Sequence, residues 1–451
     1  MKTVSSSAAA PPSPGQRVFP WLLGALLGVG LVKLGNPGLF SEMLTMPGDA
    51  LEWMFFNWPP VIGYWLLGAV AVVGFATADW RSARWPWPLA LLALWLGWQF
   101  LAATGTVDAT LTAKALPQFV TVAVCFALGY VALGARTSAT GLWVGLLIGF
   151  ALVLASGWQQ HFGGLEATRK HFFLYLAPTM KEVPPDLLKR MTSNRIFATL
   201  FYPNTLAVVL LLLLPGALAF LWSCEQKLTR GARLFLMAAL AVGAGGCLVW
   251  SGSKSGWLIA LGLGLVATLH LPFNRKWKAA LIALALVGGL SGFLLRYSSY
   301  FERGATSVGA RFDYWRAALK TTAEHPWLGS GPGTFGPMYQ RIKPPEAEMA
   351  RLVHNDYLQQ ASDSGVVGAL AYTAFIAWAL WRTYPRTRDG LRLGAWLGVL
   401  GWAVQSALEF NLYIPAVAWP AFVLLGWLLA REARAEQNST CEVRRPKAKA
   451  A

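Results

Sequence analysis

One histidine of this 451-residue chain stands out because of its neighbours. His354 opens the stretch HNDYLQQASDSG, where Asn355 and Asp356 follow it directly and Asp363 comes later. Histidine suits proton transfer near neutral pH because its unperturbed pKa is about 6.5. We therefore interpret His354 as a candidate general base whose ring a carboxylate, such as Asp356 or Asp363, could orient. A purely structural histidine is the alternative.

Three basic residues could serve the same site. Arg195 precedes an apolar run, Lys254 opens another in WSGSKSGWL, and Arg311 lies in a long polar segment. Arginine binds phosphate oxygens bidentately, whereas lysine acts as a point charge. If the fold brings these residues to one side of the chain, they predict a cationic mouth for a phosphate-bearing ligand. Lys254 could instead simply extend its ammonium group to water.

Two further motifs each allow two interpretations. Gly329, Gly331 and Gly333 in HPWLGSGPGTFG could expose backbone N–H groups to an anion, although an ordinary turn is the simpler interpretation. Pro203 and Asn204 stand inside an apolar run. They predict either a helix that lines a cavity or a plain kink.

The elements that must position these residues are membrane-spanning helices. The chain is 55% hydrophobic and 13% charged, whereas soluble domains carry about 25% charged residues. About twelve apolar runs are long enough to cross a bilayer. They lie at 18–34, 59–78, 86–103, 115–134, 140–158, 197–222, 232–250, 255–271, 278–296, 365–383, 391–409 and 412–430. We expect an all-α polytopic membrane protein.

The distribution of lysine and arginine orients these helices. The net charge of +17 does not indicate a nucleic-acid protein, because the basic residues lie in connections between apolar runs. Alternate short connections are basic, which predicts that both tails, 1–17 and 431–451, are cytoplasmic and disordered. The long connections, about 159–196 and 297–364, then fall outside, where function concentrates. The larger one contains a predicted surface helix, about Phe312 to Ala323.

Four segments resemble the O-antigen ligase and polymerase superfamily. They are Arg195–Ala207 (RIFATLFYPNTLA), Ser251–Leu258 (SGSKSGWL), Gly309–Phe335 (GARFDYW, then HPWLGSGPGTF) and His354–Gly368 (HNDYLQQASDSGVVG). The resemblance covers the architecture of the whole chain and, in detail, about residues 195–370. It implies a transmembrane glycosyltransferase domain over residues 18–430, in the bacterial inner membrane with its active site on the periplasmic face. The implied reaction moves a glycan from undecaprenyl diphosphate to lipid A–core with inversion, and it needs no metal or cofactor.

The resemblance also implies a role for each site residue. His354 matches the family's catalytic histidine and Arg311 matches the arginine that binds the donor diphosphate. Lys254 stands where many relatives have arginine. The resemblance therefore implies an ammonium group, which acts as a point charge, in place of a planar guanidinium that binds bidentately. Arg195 is a weaker match to the diphosphate site. Asp363 stands in place of the usual glutamate, in a supporting role with Asn355 and Asp356.

Other functions remain open from the sequence. A polymerase of O-antigen or exopolysaccharide, or a protein O-oligosaccharyltransferase, would use the same donor and the same superfamily motifs. A small-anion transporter, such as a bicarbonate transporter, would more typically carry its charges near the membrane midplane. A scaffold for envelope assembly would explain the helices but not the cationic mouth. The clustering of ionisable residues at the outer ends of the spans favours the enzyme.

Overall fold

The computed structural model describes residues 13–78, 80, 86–134, 138–180, 183, 188, 191–200, 202–302, 306–385 and 389–443. Across these residues the secondary structure is helical, with no strand. The prediction of an all-α polytopic membrane protein is therefore confirmed. Most of the predicted N-terminal tail, residues 1–12, and the last part of the C-terminal tail, residues 444–451, lie outside the described residues.

The helices are numbered here in chain order. They are α1 (Pro14–Lys33), α2 (Ala50–Phe55), α3 (Pro60–Thr77), α4 (Trp87–Ala103), α5 (Ala109–Ala127), α6 (Thr140–Gln159), α7 (Leu165–His171), α8 (Pro203–Ser223), α9 (Arg230–Ser251), α10 (Lys254–His270), α11 (Arg275–Glu302), α12 (Thr306–Glu324), α13 (Phe335–Ile342), α14 (Asp356–Arg382), α15 (Gly390–Gln405) and α16 (Pro415–Val443). Each predicted span coincides with one of these helices. Nine of the described helical segments are long and apolar enough to cross a membrane, and α4 and α10 are shorter apolar helices.

Two predicted connections contain more helix than expected. The span predicted to end near residue 158 continues as helical turns to Thr179, so the first long connection begins as helix. The span predicted to begin near residue 365 begins at Asp356 and is kinked at Ser364 and Gly365. The second difference matters for the site, because it makes the HNDYLQ stretch the start of a span.

The C-terminal boundary also differs from the prediction. Helix α16 continues to Val443, whereas the sequence predicts a disordered tail from residue 431. The extension is held by ion pairs, since Glu432 contacts Arg382 and Arg392 at the ends of two neighbouring helices. Charged residues at the start of the predicted tail therefore pack against the helix bundle.

Glycines allow several helices to pack backbone to backbone. A Cβ atom at Gly24 or Gly28 of α1 would collide with carbonyl oxygens of α6, and one at Gly394 or Gly398 of α15 would collide with those of α8. Small residues at such crossings are typical of membrane helices, where close packing replaces the hydrophobic effect as the driving force. The α8–α15 contact joins two of the helices that carry the site.

The helices divide into a central and a peripheral group. In α16, 89% of the most apolar stretch is buried, whereas the corresponding fractions are 17% in α9 and 6% in α11. Apolar helices that bury so little of themselves in the protein present the remainder to lipid. Helices α9 and α11 therefore form part of the lipid-facing wall.

The second long connection folds into a small helical layer beside the bundle. Helix α12 confirms the predicted helix, but the side that packs is formed by Tyr314, Ala318 and their neighbours, against Phe335 and Tyr339. Phe312 lies on another face of α12 and is 55% exposed. That face is available to contact the membrane surface, and its placement there stays a prediction.

Candidate active site

His354 occupies a constrained position between α13 and α14. Its φ angle is 54°, in the left-handed region that few residues other than glycine adopt. The conformation is held from the following residue, because Asn355 caps α14 and the N–H of Asp356 donates to the Ser406 carbonyl at 2.7 Å. Strain of this kind persists only where the surrounding structure enforces it, and it is common at functional sites.

The carboxylate that orients His354 is Glu409, in the connection between α15 and α16. Nδ1 of His354 lies 3.2 Å from Oε2 of Glu409. Phe410 and Tyr314 flank the imidazole, with ring centroids at 4.8 and 5.8 Å. Among the described residues Glu409 is the hydrogen-bond partner of this ring, so Nε2 is left for a substrate. The contact favours the tautomer with a proton on Nδ1.

Glu409 also binds Arg311. Nη2 of Arg311 lies 2.5 Å from Oε1 of Glu409, and the amide of Asn204 donates to the same oxygen at 2.6 Å. The Arg311 side chain is 18% exposed, and its buried Nε has no hydrogen-bond partner among the described residues. The guanidinium is thus anchored on one edge by Glu409 and remains partly accessible.

Burial and charge act on Glu409 in opposite directions. Burial alone would raise the pKa of this carboxyl group. The Arg311 charge, then the hydrogen bond and charge of His354 and the Asn204 amide, outweigh burial and lower the pKa to about 2. Glu409 is therefore ionised at neutral pH.

Arg195 joins the same network from the other side. Its Nε donates to the Ser251 carbonyl at 2.6 Å and its Nη2 donates to Oδ1 of Asn204 at 2.8 Å. Burial lowers the pKa of Arg195, the Glu409 charge opposes this, and the Arg311 charge adds to it. Arginine nevertheless stays charged in proteins. Asn204 therefore connects Arg195 to Glu409.

Lys254 stands at the first turn of α10 with aromatic partners. Its Nζ lies 3.7 Å from the ring centroid of Tyr300 and 5.1 Å from that of Tyr297. It is close enough to Arg195 and Arg311 to interact electrostatically with both. Cation–π contacts hold an ammonium group in place without neutralising it. The four residues predicted for the site, His354 and the three cations, thus share one end of the helix bundle.

Neither of the two aspartates near His354 contacts its ring, which corrects the expectation that one of them orients it. Asp356 is fully buried and accepts from the Leu412 N–H at 3.0 Å. Asp363 is also buried and accepts from the Tyr413 hydroxyl at 2.9 Å and the Gly333 N–H at 2.8 Å. Both carboxylates position the connections around the site.

The glycine segment forms a turn within the protein. Gly329, Gly331 and Gly333 have φ angles of 63°, 107° and 77°, which only glycine adopts readily. Their N–H groups donate to His325, to the Asp363 carbonyl and to the Asp363 carboxylate. The segment is therefore a turn that buttresses α14, and its donors are not available to an anion.

Two site residues were missed or misread from the sequence. Pro203 and Asn204 predict either a cavity-lining helix or a plain kink, but α8 begins at Pro203, and the side chain of Asn204 in its first turn is part of the site. Glu409 was placed at the end of an apolar run and given no role. The available signal was an acidic residue inside a hydrophobic stretch, where ionisable groups are costly and therefore usually functional.

Comparison with known proteins agrees with this geometry. Residues 239–373 match the family model described as O-antigen ligase, and the matched segment contains Lys254, Arg311, His354 and Asp363. The resemblance to the O-antigen ligase superfamily is confirmed. A relative named O-antigen ligase, from Pseudomonas aeruginosa, is 31% identical over 202 residues, which are 44% of this chain and 48% of the relative.

A second relative, an uncharacterised protein from Haemophilus influenzae, is 30% identical over 149 residues. The match covers 28% of this chain and 37% of that protein. The chain therefore spans less than half the length of either curated relative. The resemblance to the O-antigen ligase family rests on the segment that holds its motifs.

Proposed function

We propose that the protein is a periplasmic glycosyltransferase that moves a glycan from undecaprenyl diphosphate to lipid A–core, as an O-antigen ligase does. The observation that carries the proposal is the Glu409 carboxylate, which holds His354 at 3.2 Å and Arg311 at 2.5 Å. A single anion thus fixes a candidate base beside a candidate phosphate ligand. Transfer from a sugar diphosphate needs both groups at one centre.

The donor diphosphate would bind the three cations. Arg311 offers the exposed part of its guanidinium, and Lys254 adds a point charge that no carboxylate among the described residues neutralises. Arg195 is more firmly committed, since two of its nitrogens already donate within the protein. It contributes positive potential and rigidity. Fixed cations in a water-poor site stabilise the charge that develops on a leaving diphosphate.

The chemical step follows from the orientation of His354. The acceptor hydroxyl gives its proton to Nε2 while its oxygen bonds to the anomeric carbon. The bond from that carbon to the diphosphate oxygen breaks in the same displacement, so the configuration inverts and undecaprenyl diphosphate leaves. Glu409 stabilises the imidazolium that forms, through its contact with Nδ1. The phosphate-activated donor supplies the driving force, so the step needs neither a nucleotide nor a metal.

The charge pattern supports the proposed orientation. Both termini would be cytoplasmic, which places the site end of the bundle, with His354 and the three cations, on the periplasmic face. A glycan donor flipped across the inner membrane is available on that side. The described site lies at helix ends rather than at mid-span, which is the arrangement expected for an enzyme acting on a headgroup and not for a transporter.

The decisive test is a reconstituted assay. The purified chain in liposomes receives undecaprenyl-diphosphate-linked glycan and one of three acceptors: lipid A–core, a second lipid-linked glycan, or an acceptor peptide. We expect transfer to lipid A–core, and loss of it by roughly 10²–10⁴-fold in His354→Ala. Transfer to a second lipid-linked glycan alone would instead identify a polymerase, and transfer to peptide a protein glycosyltransferase.

The matched control is His325→Ala, because this exposed histidine lies in the same connection but outside the network. It should transfer like the parent. Undiminished transfer in His354→Ala would remove the histidine from the mechanism, and absence of transfer to every acceptor would overturn the proposed function.

A further inference from the structure

An apolar cavity of about 430 Å³ lies inside the bundle, between α8, α9, α10 and α15. Every residue that lines it is leucine, alanine, glycine or proline, in a chain with 13% aromatic residues. Leu214, Leu248 and Leu263 are representative of its wall. A surface of this kind offers no hydrogen bonds, so it suits a flexible aliphatic chain rather than a sugar or an ion.

The cavity begins near the active site and extends toward the opposite end of the bundle, where Gly390 and Leu393 line it. The four helices around it carry, at the site end, Asn204 on α8, Ser251 on α9 and Lys254 on α10, while α15 leads to Glu409. Along α9, Leu248 is about one turn from Ser251. Along α8, Leu210 is about two turns from Asn204, or roughly 9 Å at 1.5 Å per residue. A chain attached to a phosphate held by the cations would therefore enter the cavity within its first few bonds.

The cavity also borders the lipid-facing wall. Helix α9 presents Phe235 and Val242 to the outside, with 72% and 64% exposure, and α10 presents Leu258 with 42% exposure. These two helices form the side of the cavity that faces the bilayer, and its lining residues Gly245 and Gly264 are exposed. A lipid tail can therefore reach it laterally, between α9 and α10, without its head leaving the membrane surface.

We propose that this cavity binds the part of the donor's isoprenoid tail nearest the diphosphate. The inference rests on the proposed function, because it takes the occupant to be the lipid-linked donor. Cavities lined only by apolar groups do not hold water, and the cations at the site end of the same helices select a lipid with a phosphate at the head of its chain. The tail site would select for donors with long isoprenoid chains, and it would hold the anomeric carbon in place below the acceptor.

Two glycines of α10 make a matched pair of variants. Gly264 lines the cavity and Gly262 does not, and a Cβ atom at either position would meet no atom within 4 Å. Gly264→Leu therefore adds a side chain to the cavity wall without a clash at Cβ, whereas Gly262→Leu adds the same side chain to the same helix elsewhere. Any general effect of leucine on helix stability appears in both variants.

The activity test uses two donors with the same glycan, one on undecaprenyl diphosphate and one on a two-isoprene diphosphate. We expect Gly264→Leu to raise the KM for the long donor by roughly tenfold or more, and to leave the KM for the short donor within about twofold of the parent value. Gly262→Leu should match the parent with both donors. Equal effects of Gly264→Leu on the two donors would overturn the tail site.

A binding test separates this inference from the proposed function. Undecaprenyl diphosphate without a glycan, carrying a photoreactive group near the head of its tail, is crosslinked to the full chain in liposomes. We expect adducts on α8, α9, α10 or α15 that Gly264→Leu reduces and Gly262→Leu retains. Adducts elsewhere, or competition by phosphatidylglycerol as strong as by the unlabelled diphosphate, would identify a site for ordinary membrane lipid and contradict the proposal. Crosslinking in the cavity by a chain that transfers no glycan would overturn the proposed function alone.

Discussion

Clusters of charge lie at the two ends of the helix bundle, and their composition differs in a way that separates structure from function. At the end opposite His354, Arg382 and Arg392 pair with Glu432, and Arg431 pairs with Asp389. Glu436 pairs with Arg382 as well. Three arginines therefore meet three carboxylates. We call this group the balanced cluster.

The site network has an excess of positive charge. Arg195, Lys254 and Arg311 interact electrostatically, and among their hydrogen-bond and ion-pair partners in the described residues the one carboxylate is Glu409. An uncompensated cluster of cations is unfavourable unless an anion binds. The balanced cluster ties helix ends together, whereas we propose that an anionic ligand completes the site network. The predictions below test this difference by making equivalent substitutions in both clusters.

The largest effect is expected for Glu409→Gln. The variant keeps the shape of the side chain but removes the charge that holds Arg311 and favours the Nδ1–H form of His354. We expect kcat for glycan transfer to fall by roughly 10²–10⁴-fold, as it does where the acid behind a catalytic histidine is neutralised. The measurement is steady-state transfer in liposomes, normalised to folded protein.

Glu432→Gln in the balanced cluster is the control for that variant. It removes the shared partner of Arg382 and Arg392, so it should lower the melting temperature by several degrees while transfer per folded molecule stays within about twofold. If Glu432→Gln reduced transfer as strongly as Glu409→Gln, the distinction between the two clusters would be lost.

A smaller effect is expected for Arg311→Lys. Lysine keeps the charge, but its single ammonium group cannot bind one phosphate through two N–H groups while another N–H group binds Glu409. We expect the KM for the lipid-linked donor to rise by roughly 10-fold, with a smaller decrease in kcat. Arg382→Lys makes the same exchange in the balanced cluster and should leave the donor KM unchanged. Full activity in Arg311→Ala would exclude this residue from diphosphate binding.

Sequence patterns predicted the helices and the cations well because both depend on local properties. Each span follows from a run of apolar residues, and alternate helix ends must lie on the same side of a bilayer. Arg195 and Lys254 mark such ends, so their convergence with Arg311 was predictable. The boundary errors, such as the helical extension to Val443, arose where ion pairs to other helices stabilise a segment that is polar by composition.

The partner of His354 was not predictable in the same way. Asp356 and Asp363 are neighbours in sequence, but α14 turns both into the protein, while the left-handed backbone at His354 directs its ring toward another connection. Glu409 lies 55 residues further along the chain. Its approach depends on how α15 returns to the site end, and a periodic pattern carries no information on that packing.

A third prediction concerns pH and uses the same Glu409→Gln variant. The pKa of Glu409 is lowered from 4.5 to about 2 in the folded protein. Because the folded-state pKa is the lower one, the ionised carboxylate stabilises the fold above about pH 4.5, and this contribution disappears as the pH falls toward 2. We expect the melting temperature of the parent in detergent to exceed that of the variant at pH 6, and the gap to narrow below pH 4.5.

The melting temperature of Glu432→Gln is measured at the same pH values as a control, because this variant removes a carboxylate at the other end of the bundle. If the gap between the parent and Glu409→Gln stayed constant from pH 6 to pH 3, the carboxylate would not be held in its ionised form by Arg311 and His354.

The smallest effect is expected for Lys254→Arg, which tests whether the excess charge or its geometry matters at this position. The ammonium group lies over Tyr300 and Tyr297, and a guanidinium can stack on the same rings. We therefore expect the donor KM to stay within about threefold of the parent value, whereas Lys254→Met, which removes the charge, should raise it by roughly 10-fold. Transfer kinetics at several salt concentrations measure both, since added salt should weaken donor binding less in Lys254→Met. A larger loss in Lys254→Arg than in Lys254→Met would mean that the tyrosine pair selects lysine by shape, and that the cationic excess is not what the donor recognises here.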